Sequence, residues 1–429
     1  MKQTEIGMIP DDWEVKRLGE IAFVTKLAGF EFTAHVKYSD QGKIIALRGL
    51  NVRQGFLELK DVKYIDNSNF SELNRSKLYK NDLLFTYVGT VGNVALVDKN
   101  DSYYLAPNVA LIRNTRQTDS QYIMYLLLST NFFNSQIKTL MSTTSQAALS
   151  MTNIRLFKIP FPPTLAEQQK IAKALSDVDN VISTLEKLIT KKKNLKQGTI
   201  QQLLTGKKRL PGFAKSDKFK QTEIGEIPED WEVVQLNTLI DDISDGPFGS
   251  NLKTEHYTTE REARIIQLSN VGEDGWNDEN TKYTTFIHAK ELSRCIVPSG
   301  SVIIAKMMPA GRSILCPNNE RMYILGSDCV KFIPNKLIDS KYFVYYTKCT
   351  TYLNQIKENT QGSTRARTSV TKLRKIEVVL PSKPEQTSIA NVLSSMDKEI
   401  EALEAKLEKY RDLKTGMMQQ LLTGKIRLR

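Results

Sequence analysis

The phrase KQTEIGMIPDDWEV, beginning at Lys2, returns at Lys220 as KQTEIGEIPEDWEV, differing only at Met8/Glu226 and Asp11/Glu229. The two copies lie 218 positions apart, and two further matches keep that offset. QQLLTGKKRL at Gln201 returns as QQLLTGKIRL at Gln419, and EQQKIAKALSDVDNVISTLEKL from Glu167 pairs with EQTSIANVLSSMDKEIEALEAKL from Glu385. Three matches at one offset mark a tandem duplication, mapping residues 1–211 onto 219–429 through the short join GFAKSDK. A chain of 429 residues is too long for one ordinary core. The duplication says how it divides: one plan, built twice.

Between the repeated phrases the halves diverge. KIIALRGLNV (43–52) and RIIQLSNV (264–271) are both apolar runs ending in an Asn-containing turn, and DLLFTYVGTVGNVALVD loosely matches SVIIAKMMPAGRSILCP. Such β-branched and aromatic runs, bounded by Gly, Asn and Pro, predict strands. YIMYLLLSTNFFNSQIKTLM and YFVYYTKCTTYLNQIKEN predict short helices after them. Each half therefore opens with a mixed α+β domain, with Trp13 and Trp231 as packing anchors.

A seam of apolar residues follows. Ile171, Leu175, Val178, Ile182, Leu185 and Ile189 keep a 4-3-4-3 spacing, and Ile389, Leu393, Met396, Ile400, Leu403 and Leu407 repeat it. Sustained a/d spacing with charged flanks predicts coiled-coil helices, started just after the prolines of PPTLAEQ and PSKPEQ. Packing of each helix on its own domain is the plainer alternative. Each helix of about 40 residues spans about 60 Å, whereas a seven-residue join reaches only about 25 Å. An antiparallel pair satisfies the connectivity. The expected architecture is α+β, with two tandem domains separated by two long helices in an antiparallel coiled coil, related by a pseudo-two-fold repeat. Its boundaries are 1–164, 165–210, 211–383 and 384–429.

Sixty Lys plus Arg against forty-eight Asp plus Glu leave a net charge of +12, which favours a polyanionic partner. No apolar run is long enough to span a bilayer, and Asp11, Asp12, Trp13 and Glu14 are unlike a secretory leader. Cys295, Cys316, Cys329 and Cys349 lack zinc spacing and read as buried free thiols of a reducing, cytoplasmic compartment. His35, His256 and His288 read as isolated turn or surface residues. PDDWEVK mimics a two-carboxylate nuclease centre, but its parts are too close together and Val234 replaces the lysine in the second copy. No phosphate-cradling glycine loop occurs. The chain reads as non-catalytic, with no cofactor of its own.

A basic, two-headed, pseudo-symmetric protein suits a DNA duplex, phosphates giving affinity and groove contacts discrimination. With unlike heads, the expected target is two unlike half-sites separated by unread base pairs. The order of phrase, variable domain, PP-x-x-x-E-Q-Q helix and QQLLTGK, twice over, resembles the specificity subunit of type I restriction–modification systems, as do DGPFGSNLK at Asp245 and QGSTRARTSVTKLRKIEVVLP at Gln361. The resemblance implies two target-recognition domains on conserved helical spacers that form the coiled coil. Two methyltransferase subunits, and restriction subunits carrying nuclease and motor, would dock on them. It also implies adenine methylation, with S-adenosylmethionine, ATP and Mg held by those partners. TTSQAALSMTNI stands where the second half has GSTRARTSVTKL, so one head lacks the arginine-rich contact. A structural scaffold that binds only proteins, or a solitary nuclease, would be the alternatives.

Candidate DNA-binding residues in the second head are Arg365 and Arg367, two apart in a Gly/Ser/Thr-rich loop, with Lys253 after GPFGSN and Arg312 after Gly311. Arginine suits guanine edges and phosphates alike, although solvated loop charge would look the same. In the first head they are Arg48, Arg53, Tyr87, Asn93 and Gln146, the amides being suited to adenine. Lys191, Lys192 and Lys193 could meet DNA, an acidic partner or only water. The apolar Leu203, Leu204, Leu421 and Leu422 are expected to close the ends of the rod or a partner site.

Overall fold

The repeated opening phrase folds alike in both copies because its glycine and threonine dictate a tight hairpin. The computed structural model describes residues 1–141, 147–319, 321–360 and 367–428. In the first copy β1 (Lys2–Thr4) and β2 (Gly7–Ile9) pair around Gly7, whose φ of +105° suits glycine. The Thr4 hydroxyl donates to the Gly7 carbonyl at 2.7 Å. Trp13, fully buried, then leads into β3 (Glu14–Arg17).

The body of the first half comprises β4 (Ala22–Lys26), β5 (Ile45–Leu47), β6 (Lys63–Tyr64), β7 (Leu83–Thr86), β8 (Val94–Leu96), β9 (Tyr103–Leu105) and β10 (Val109–Asn114). Helix α1 (Ser120–Leu128), strand β11 (Lys158–Phe161) and helix α2 (Leu165–Leu204) complete it. An antiparallel sheet runs β4-β10-β7-β8, a second runs β6-β5-β9 with β5 and β9 parallel, and β11 pairs with β3. The four-stranded sheet is covered on both faces. Leu83, Phe85, Ala110 and Ile112 join the core under α1, while Leu84, Ala95, Val109 and Leu111 join a second core. Period-two alternation between two apolar layers explains why these strands read as nearly continuous hydrophobic runs.

The second half repeats the plan with β12 (Phe219–Thr222), β13 (Gly225–Pro228), β14 (Glu232–Gln235), β15 (Ile240–Asp245), β16 (Tyr257–Thr258), β17 (Ala263–Ile266) and β18 (Lys282–Thr284). It continues with β19 (Ile296–Val297), β20 (Val302–Ala305), β21 (Ser313–Leu315), β22 (Met322–Leu325), β23 (Cys329–Pro334), α3 (Ser340–Tyr346), β24 (Glu377–Leu380) and α4 (Lys383–Leu421). Sheet β15-β23-β20-β21 matches β4-β10-β7-β8, and β14–β24 matches β3–β11. The other sheet is wider, β16-β18-β17-β22-β19.

Two compact units result: Met1–Glu186 with Ala405–Arg429, and Lys187–Glu404. Both long helices therefore contribute one half to each unit. Within the first unit Lys414 pairs with Asp179 at 2.6 Å and Arg411 with Glu186 at 2.8 Å. Within the second, Lys192 pairs with Glu399 at 2.6 Å, Lys193 with Glu404 at 2.7 Å, and Lys196 with Asp397. In each unit late residues of one helix meet early residues of the other, so the pairing is antiparallel. Lys192 and Lys193 of the lysine run are thus taken up by the facing helix. Seam residues Ile171 and Leu175 sit in the first unit's core beside Leu421 and Leu422, as Ile389 and Leu393 sit in the second unit's core beside Leu203 and Leu204. The fold is two α+β domains linked by long paired helices.

The repeated QQLLTGK explains itself at these helix ends. Gly206 (φ +72°) and Gly424 (φ +67°) adopt left-handed backbone past the last turn. A side chain on Gly206 would strike Pro228 and Trp231, and one on Gly424 would strike Pro10 and Trp13. Three residues on, Arg209 lies over the Trp231 ring and binds Glu385 and Asp230, and Arg427 lies over Trp13 and binds Glu167 and Asp12. Phrase and helix end are retained together because each packs on the other.

Candidate nucleic-acid interface

Strand β10 runs antiparallel to both β4 and β7, so β4 and β7 point the same way and their C-terminal ends emerge at one end of the sheet. The same holds for β15 and β20 about β23. Two loops meet there in each unit: the segment after β4 or β15, and the β7–β8 or β20–β21 connection.

That connection is closed by corresponding backbone hydrogen bonds in the two units. Tyr87 N–H donates to Asn108 and accepts Leu149 N–H at its carbonyl; Lys306 does so with Asp328 and Thr368. Thr86 N–H bonds the Asn93 carbonyl at 3.0 Å, and Ala305 N–H bonds Arg312 at 2.8 Å. Positive φ recurs at Gly89 and Gly92 and at Met308 and Gly311. Bridges Val88–Ala148 and Met307–Arg367 bring one further segment to each loop. Tyr87 thus corresponds to Lys306, Asn93 to Arg312, and Ala148 to Arg367.

The sequence-derived candidates fall into three groups. Asn93 and Tyr87 are each only 9% exposed. The Asn93 amide donates to the Val52 carbonyl at 3.1 Å, and burial pushes the Tyr87 hydroxyl above the usual phenol range. Both hold the loop from beneath. Arg48 is half-buried, with Nη2 donating to the Asp61 carboxylate at 2.7 Å and carbonyl at 3.0 Å, so it too braces a turn.

The second group reaches solvent. Arg53 is exposed on a hairpin tip, with no carboxylate partner among the described residues. Arg367, 48% exposed, pairs with Asp328 at 2.9 Å. Lys253 is exposed and sits 3.4 Å from Glu255. Its loop is braced by His256 and His288, which are not isolated as the sequence suggested: their ring centroids lie 4.3 Å apart, and His256 Nδ1 accepts the Lys253 N–H. Arg312 is half-buried, its Nε without a partner among the described residues. It lines a cavity of about 340 Å³ with Glu273, Asp274 and Lys348, where burial, then the Lys196 charge, holds the Lys348 amine below the usual lysine range. Gln146 and Arg365, the third group, lie outside the described residues.

A family model described as the type I restriction modification DNA specificity domain matches residues 10–197 and 228–409. The chain belongs to that family. A putative type I restriction enzyme MjaX specificity subunit of Methanocaldococcus jannaschii is 30% identical, over all of this chain and 97% of its own length. The MjaVIII specificity subunit of the same organism is 28% identical over 98% of this chain and 94% of that protein. The solved S subunit of M. genitalium shares the fold at 16% identity, with a TM-score of 0.59 over 98% of both chains. As a type I specificity subunit, the chain is a non-catalytic DNA-recognition and scaffolding component of a restriction–modification complex. No described helix is long and apolar enough to cross a membrane. Among the described residues no cluster of His, Cys, Asp and Glu is placed to hold a metal ion.

Sequence reasoning missed two lysines of this specificity subunit's loop end. Lys26 is exposed and reaches over the Tyr87 ring at 5.4 Å, while Lys306 is drawn to Asp245 at 2.9 Å. Aligning the loops residue by residue, with the offset slipping from 218 to 219, would have set Lys306 against Tyr87.

Proposed function

We propose that each lobe of this specificity subunit reads one half of a gapped, asymmetric duplex site. Methyltransferase subunits, and restriction subunits with their ATP-driven motor, assemble on its repeated frame. One observation carries the reading: two loops are closed by the same backbone hydrogen bonds at their base and share two positive-φ positions, yet present different side chains at matched positions. Like scaffolds with unlike side chains suit two unlike half-sites, since bases are discriminated by the groups that reach their edges. Arg367, Arg312 and Lys253 would face DNA in the second lobe and Arg53 and Lys26 in the first; Arg365 and Gln146 flank the same loops in sequence. The chemistry belongs to the partners.

Mapping methylated adenines in cells that carry this chain with its partner subunits tests the proposal. The expected result is a bipartite motif whose halves differ. Arg367→Ala should relax or abolish one half and leave the other intact. A contiguous palindrome, or simultaneous loss of both halves, would overturn the assignment.

A further inference from the structure

Among the described residues two phenylalanines are more exposed than any other. Phe30 is 73% exposed and Phe248 is 77% exposed, and they stand 218 positions apart in segments that otherwise diverge, LAGFEF and DGPFGS. Each follows the strand that delivers the loop end described above, four residues after Lys26 in one lobe and three after Asp245 in the other. Neither rides on a slack segment. Glu31 accepts the Ala28 N–H at 2.9 Å and pairs with Arg75. Gly246 donates to Cys329 at 3.0 Å and lies so close to Gly326 that any side chain there would strike its carbonyl, while Asn251 N–H donates to the Phe248 carbonyl at 2.8 Å.

We propose that Phe30 and Phe248 are matched apolar wedges, one per lobe, that enter the stack of base pairs at each half-site. An aromatic ring held out in water beside cationic loops suits a partner that offers both phosphates and apolar faces. Inserted apolar side chains unstack a base step and bend the duplex, and stacking on a ring tolerates any base. A contact indifferent to sequence is the one expected to stay constant between lobes that read different bases. Around it, Tyr87, Asn93 and Ala148 give way to Lys306, Arg312 and Arg367. The inference rests on the reading of the lobes as DNA readers.

The test uses the full chain and a fluorescent duplex selected on it from a random-sequence pool. Affinity is titrated across a salt series, and bending is read by energy transfer between labelled duplex ends. Phe30→Ala and Phe248→Ala should each weaken binding roughly ten-fold, leave the salt slope unchanged and reduce the bend; Phe248→Leu should keep most of both. Unchanged affinity and bend in the alanine variants would overturn the wedge. So would normal DNA binding with loss of co-expressed methyltransferase subunits, which would make the rings a protein contact. Failure of the unmodified chain to select any duplex would instead remove the DNA-reading function, and the wedge with it.

Discussion

Where the first lobe places Tyr87, Gly89, Asn93 and Ala148, the second places Lys306, Met308, Arg312 and Arg367. The loops differ in charge, volume and hydrogen-bonding groups, yet the carbonyl and N–H partners that close their bases correspond. Backbone bonds, two positive-φ positions and a bridge to a following segment therefore set the shape, leaving the side chains free to change. The helix-end clamps behave in the opposite way: Arg209 with Glu385, Asp230 and Trp231 is reproduced by Arg427 with Glu167, Asp12 and Trp13. The clamps are kept in both units while the loop side chains change.

The clamps are not energetically equal. Glu385 is 1% exposed and accepts the Trp231 indole N–H at 3.0 Å as well as Arg209, whereas the Trp13 indole N–H finds no partner among the described residues. Arg427 is also the more exposed arginine, at 20% against 9%. Removing one partner of a buried pair costs about 3–5 kcal/mol. Arg209→Ala should approach that range in the second unit, and Arg427→Ala should cost less in the first. Hydrogen exchange resolved by unit checks both. Equal losses would show that the indole bond adds nothing.

Alkali should also separate the units. All four cysteines are buried in the second, and burial raises Cys316 and Cys329 to about 12 and Cys349 to about 11 from an ordinary value near 9. A thiol whose pKa is raised by folding stabilises the native state fully below pH 9. That contribution is lost as pH climbs towards 11–12, because only the unfolded thiol ionises. By pH 10 each loses about 1.4 kcal/mol, about 4 kcal/mol for the three. The second unit should therefore melt first at pH 10, followed by circular dichroism with thiol alkylation as the reporter. Buried tyrosines occur in both units and do not reverse the order.

The duplication, the helix pair and its direction were legible because each is carried by short-range pattern: a repeated phrase, a seven-residue apolar repeat, a join too short for another path. The loop contacts were not. That the Asn93 amide is taken by Val52, 41 positions away, depends on how two sheets meet. Arg48 looked free until Asp61 came beside it. The slipping offset hid the match of Tyr87 to Lys306, and nothing local marks Phe30 or Phe248 as exposed. Pattern shows which face of a strand is buried; it does not show which loop lies under which.

Glycine tests whether the two loops share their shape as closely as their bonds imply. Gly92 and Gly311 have φ of +97° and +83°. A methyl on Gly311 would come within 2.7 Å of Ile356, and one on Gly92 within 3.0 Å of Phe133. Alanine at either position should destabilise its unit by about 1–3 kcal/mol through left-handed strain and contact together. Gly311→Ala should be the larger, as differential scanning calorimetry with unit-specific proteolysis would show. The reverse order would place the tighter loop in the first lobe.

The smallest expected effect concerns charge beside the loops. The hairpin tip Arg53–Phe56 carries a cation, while its counterpart Gly272–Gly275 carries Glu273 and Asp274. If both tips approach a duplex, the first attracts phosphate and the second repels it, each screened within about 8 Å at physiological salt. Arg53→Ala should weaken binding to every duplex by about 1 kcal/mol or less and lower the salt slope by roughly one. Glu273→Gln should strengthen binding slightly, with a steeper slope. The opposed signs matter more than the sizes: two weakening changes would mean that the acidic tip makes a specific contact, through water or through its cavity with Lys348, and that the lobes differ in docking as well as in the bases they read.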